Sequence, residues 1–106
     1  MRLQISLTKN RAREILEKLA DKFPHRFIRT GFKGEIYMIY NVFDDTGTEF
    51  TAPIYIRPSR DNSMIILEVK KRDLPPFIRN DPYLEEDIMD MFKSYLRDVV
   101  SRREIK

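Results

Sequence analysis

The stretch Glu35-Ile36-Tyr37-Met38-Ile39-Tyr40-Asn41-Val42-Phe43-Asp44-Asp45-Thr46-Gly47-Thr48-Glu49-Phe50-Thr51-Ala52-Pro53-Ile54-Tyr55-Ile56-Arg57 decides the fold. It is two β-branched and aromatic runs, roughly Glu35–Phe43 and Thr48–Arg57, on either side of an Asp/Gly turn in which Gly47 is free to take a positive φ. A period of two places Ile36, Met38, Tyr40 and Val42 on one side of the first strand, and Tyr37, Ile39 and Phe43 on the other. In the second strand Phe50, Ala52, Ile54 and Ile56, expected with the first-named set in the core, oppose Glu49, Thr51, Tyr55 and Arg57. A connection this short makes the pair antiparallel. Pro53 inside the second run points to an edge or a bulge, because proline has no N–H for a ladder.

The same reading extends in both directions. Upstream, His25–Phe32 is a further strand, closed by Gly31 and Gly34. Downstream, Pro58-Ser59-Arg60-Asp61-Asn62 makes a turn into a strand over Ser63–Lys71, with Ile65, Leu67 and Val69 opposing Met64, Ile66, Glu68 and Lys70. Residues 2–7 alternate strictly and predict a first strand. Thr8 is placed to cap a helix whose Ala12, Ile15, Leu16, Leu19 and Phe23 form one apolar stripe, ended by Pro24. Leu74-Pro75-Pro76 is a stiff connector. Asp81 and Pro82 then suit the N-cap and first position of a last helix. Its stripe is Leu84, Ile88, Phe92, Tyr95 and Val99, widened by Met89, Leu96 and Val100. The predicted fold is α+β, a two-layer sandwich with the order β-α-β-β-β-β-α. Its sheet is mainly antiparallel, and both helices lie on one face.

At 106 residues with 42% apolar content, the chain is expected to form a single domain, residues 1–106, with a core dense enough to stand without metals or cross-links. Absence of cysteine excludes disulfides, thiolate zinc sites and thiol catalysis. No apolar run is long enough to span a membrane, and Met1–Ser6 lacks the apolar centre of a signal peptide. A cytoplasmic location is the resulting expectation. Charged residues at 35% and a single glutamine, Gln4, match the profile of thermophile proteins.

Catalytic chemistry finds no constellation. His25 is the only histidine, has no carboxylates at a fixed spacing, and reads as structural. Asp45-Thr46-Gly47 matches the short signature of aspartic proteases. It falls in a hairpin turn, however, where Asp and Gly are expected, and no second protease element follows. Glu85, Glu86, Asp87 and Asp90 read as acidic loading of a helix start rather than as a cation site. No phosphate loop, dinucleotide glycine pattern, nucleophile elbow or zinc-helix motif is present. The chain is therefore read as non-enzymatic, with no catalytic residue, metal or cofactor.

Two surfaces remain as candidates. Two helices can cover only one face of the sheet, so the other, with Tyr37, Ile39, Tyr55, Arg57, Ile66 and Lys70, is expected to be exposed and to contact a partner or a second copy. The alternative is RNA or DNA binding through the basic first third. Residues 1–33 hold nine Lys/Arg against three Asp/Glu, whereas the later segments are balanced or slightly acidic. Lys9, Arg11, Arg13, Arg26, Arg29 and Lys33 would hold phosphates, with Tyr37 or Tyr55 as stacking platforms. Lys9, Arg11 and Arg13 also crowd the start of the first helix, where the helix dipole disfavours cations; a bound anion would relieve the repulsion, and the simpler compensation is by Glu14 and Glu17 through helical pairs such as Arg13 with Glu17.

Overall fold

The computed structural model describes residues 1–32 and 34–106. Its elements are β1 (Arg2–Ser6), α1 (Ala12–Lys22), β2 (Phe27–Arg29), β3 (Ile36–Phe43), β4 (Glu49–Pro58), β5 (Met64–Glu68) and α2 (Leu84–Leu96), with short 3₁₀ turns at Lys71–Asp73, Pro76–Ile78 and Arg102–Glu104. The strands form one antiparallel sheet in the order β1-β5-β4-β3-β2. This is the α+β architecture the alternation implied. β1 and β2 are consecutive strands at opposite edges, so α1 must cross the sheet to join them, and it lies over β4 and β2.

Both helices bury their stripes on the same side. Ile15, Leu16 and Leu19 of α1 and Ile88, Phe92 and Leu96 of α2 share one core with Phe27, Ile36, Met38, Ile54, Ile56, Ile65 and Leu67. Each of those α1 side chains contributes about 1.5–3 kcal/mol by leaving water. Phe27 is the pivot: its ring meets Phe92 at 6.1 Å and Tyr95 at 5.3 Å, both edge-on, a favoured aromatic geometry.

Several boundaries differ from the sequence reading, each for a local reason. The strand expected over His25–Phe32 shrinks to Phe27–Arg29, because the chain leaving α1 turns first, with Arg26 and Phe27 N–H both donating to the Phe23 carbonyl. Thr8 does not cap α1. Its hydroxyl donates to the Arg103 carbonyl at 2.8 Å and its N–H to Glu104, which ties the C-terminal segment to the end of β1. α2 begins at Leu84, not at Pro82, because the Asp81 carboxylate accepts from Tyr83 N–H and closes a separate turn first. Phe50 is not a core residue. It lies 38% exposed near the tip of the β3–β4 hairpin, packed edge-on against Phe77 at 5.6 Å.

That hairpin reaches past the rest of the sheet. β2 pairs only with Ile36–Met38, and β5 only with Tyr55–Pro58, so the outer half of β3 and β4 is a two-stranded arm. Its tip is set by Asp44, whose Oδ1 accepts from Thr46 N–H, Thr48 N–H and the Thr46 hydroxyl, with Gly47 at φ +82°. The Thr46 hydroxyl above all holds the Asp44 carboxyl below the usual carboxylate range.

The flanks of the arm are not open ladders. Ile39 N–H donates outward to the Arg26 carbonyl, so the facing position on β4, Pro53, points its nitrogen outward too and offers no donor there. On the other flank the Arg26 guanidinium donates to the Ile39 carbonyl at 2.7 Å and reaches Asn41 Oδ1 at 3.3 Å.

Candidate interaction surface

Among the described residues no helix lies against the second face of the sheet. There the register sets Tyr37 directly opposite Tyr55 and Ile39 opposite Pro53. The two tyrosine rings are 6.2 Å apart and tilted by 57°. Lys70 stands over the Tyr55 ring at 4.7 Å, a cation–π contact. Beside it Glu68 binds Arg57 at 2.9 Å and Arg2 at 3.3 Å. The Arg57 hydrogen bond is the main reason the Glu68 carboxyl titrates below its ordinary range.

These groups line two shallow depressions that meet at Tyr55. One, of about 520 Å³, is walled by Tyr37, Ile39, Thr51, Pro53 and Tyr55. The other, of about 410 Å³, lies between Phe32, Glu35, Tyr55, Arg57, Glu68 and Lys70. The face is thus less open than the sequence implied. Tyr37, Ile39, Tyr55 and Arg57 are half-buried by one another, and of the expected set only Lys70 is well exposed. Ile66 is a correction: it belongs to this face but is only 8% exposed, flanked by Arg57 on β4 and Gln4 on β1. Pro53 and Thr51, absent from the expected set, belong in it. The signal for both was the period of two, which sets Thr51 and Pro53 on the same face as Tyr55 and Arg57.

The basic first third is arranged differently. Arg11 donates to both oxygens of Glu14, at 3.0 and 3.1 Å, and pairs with Glu104 from the far end of the chain. Arg13 pairs with Glu17 at 3.6 Å and Arg29 with Asp21 at 2.5 Å. Arg26 bridges the β3 edge as described and stands 5.9 Å from the Tyr95 ring. Lys9 is exposed, and Lys33 lies outside the described residues.

The start of α1 is also not an open cradle for an anion. Asn62, in the left-handed region at φ +62°, accepts Ala12 N–H on its carbonyl and Arg13 N–H on its side chain, both at 3.1 Å. Donors that a helix start leaves unmet are here consumed by the β4–β5 turn. The expected repulsion at this end is relieved by Glu14 and Glu104.

His25 is exposed in the turn after α1, and Asp45-Thr46-Gly47 lies at the exposed hairpin tip. Among the described residues no helix is long and apolar enough to cross a membrane. No protein-family model, curated protein or solved structure matches the chain.

Proposed function

We propose that this chain is a non-enzymatic interaction domain that self-associates through the second face of its sheet, with Tyr37, Ile39, Pro53 and Tyr55 at the centre of the contact. The observation that carries this reading is the cross-strand Tyr37–Tyr55 pair beside Ile39 and Pro53. Together they form an apolar, aromatic depression that no helix or strand among the described residues covers. Tyrosine suits such a role because a large rigid ring gives contact area at little entropic cost, while its hydroxyl tolerates water in the free state. A two-fold axis through the depression would set each aromatic pair against its copy, the commonest symmetry of soluble oligomers. A stable contact buries roughly 800 Å² per partner, so the arm around Thr51 and the Arg57–Glu68 rim must also take part.

Nucleic-acid binding through the first third has less support. Arg11, Arg13 and Arg29 already face carboxylates, and Arg26 is committed to a strand edge and a tyrosine ring.

Sedimentation velocity over a wide concentration range tests the proposal. The expected result is a concentration-dependent dimer that Tyr37→Glu with Ile39→Glu converts to monomer while the far-ultraviolet circular dichroism is unchanged. A monomer at the highest concentration, or a dimer indifferent to that double substitution, overturns it.

A further inference from the structure

A second concave surface lies at the opposite end of the fold order, where α2 runs out. It is a groove of about 660 Å³ walled by Lys93, Arg97, Val100, Ser101, Arg102 and Ile105. Val100 and Ile105 pack partly against the core and give it an aliphatic floor. Three cations stand on its rim. None of them forms an ion pair with a carboxylate among the described residues, in contrast to Arg11, Arg13 and Arg29. The adjacent acid, Glu104, is engaged by Arg11 and by Ser101 N–H at 3.1 Å, and pairs with none of the three.

From this we infer that the groove at the end of α2 binds an acidic peptide segment of a protein partner, with aliphatic side chains seated on Val100 and Ile105 and carboxylates facing Lys93, Arg97 and Arg102. The chemistry of the wall selects this occupant. Uncompensated cations around an apolar floor complement a chain that carries both negative charge and aliphatic groups, and such complementarity governs partner choice and association rate. A nucleic-acid strand would want aromatic platforms for its bases, and the wall contains none. A free phosphate would leave the aliphatic floor unused. The groove is separate from the second sheet face, so this inference does not rest on self-association there.

Fluorescence anisotropy with a labelled peptide of alternating Glu and Leu tests it, using the full chain. The peptide is expected to bind, more weakly as salt is raised. Lys93→Glu with Arg97→Glu should weaken binding by about tenfold or more, as reversal of charges facing a partner requires. These side chains are not in the core, so circular dichroism should report an unchanged fold. Arg13→Glu serves as a control on the remote basic region and should leave binding unchanged.

Several results overturn the inference. They are no binding at low salt, binding unaffected by the double reversal, equal binding of a Glu-only peptide without leucine, and tighter binding of a single-stranded oligonucleotide that shares the sensitivity to Lys93 and Arg97.

Discussion

The start of α1 and the end of α2 hold similar clusters of cations, and they differ in what faces them. At the start of α1, Arg11 and Arg13 meet Glu14, Glu17 and Glu104, and the helix donors end on Asn62. At the end of α2, Lys93, Arg97 and Arg102 ring an aliphatic groove with no carboxylate partner among the described residues. A count of charge along the sequence ranks the first region as the binding surface. The cations of that first region are already held by carboxylates of their own chain, which leaves them less to give a ligand. Cations at a helix C-terminus also relieve the dipole, so the second cluster is tolerated without neutralisation.

The largest expected effect in breaking this contrast comes from Asn62→Ala. It removes a side-chain acceptor for α1 and puts an unsuited residue at positive φ, at a cost of about 1–2 kcal/mol. For a domain of this size that lowers Tm by about 4–8 °C per kcal/mol, measurable by calorimetry. Asn62→Gly keeps the backbone acceptor and the φ, and should lose less.

A smaller effect is expected from acid. Asp61 holds the turn that presents Asn62, accepting from the Ser63 hydroxyl at 2.6 Å, Ser63 N–H at 3.0 Å and the Ser59 hydroxyl at 2.9 Å. Chiefly through the Ser63 hydroxyl, these bonds bring its carboxyl down to about 2. A folded-state value below the unfolded one, about 3.9 for Asp, means the stabilisation is complete above that range and is lost as pH falls towards about 2. Thermal melts at stepped pH should show a loss in that window, and Asp61→Asn should flatten it.

The smallest effect sharpens the contrast from the other side. Replacing Lys93, Arg97 and Arg102 together by Ala should lower stability by no more than about 1 kcal/mol in urea titration, through the lost helix-dipole interaction alone, since no ion pair forms through them among the described residues. A loss comparable to that of Asn62→Ala would show that the end of α2 is structural after all.

How much of this could be read from the sequence follows from the range of each interaction. The alternation over Glu35–Arg57 carries the hairpin, its faces and the Gly47 turn, because all three are local, and the helical stripes carry the core side of α1 and α2. Spacing assigns a side chain to a face but does not say what flanks it. Hence Ile66 was expected to be exposed and is buried, and Phe50 was expected in the core and sits on the arm. The start of α1 is legible only in part: Glu14 and Glu17 lie at helical spacings that pair with its cations, and those pairs form. Its acceptor at Asn62 and its acid at Glu104 come from distant turns, and only the folded chain brings them there.

The shielded flanks of the β3–β4 arm set the terms on which anything can join this molecule. With Pro53 withholding a donor on one margin and Arg26 occupying the Ile39 carbonyl on the other, a newcomer finds the main-chain pairing of the middle of the arm depleted and must be recognised largely by its side groups.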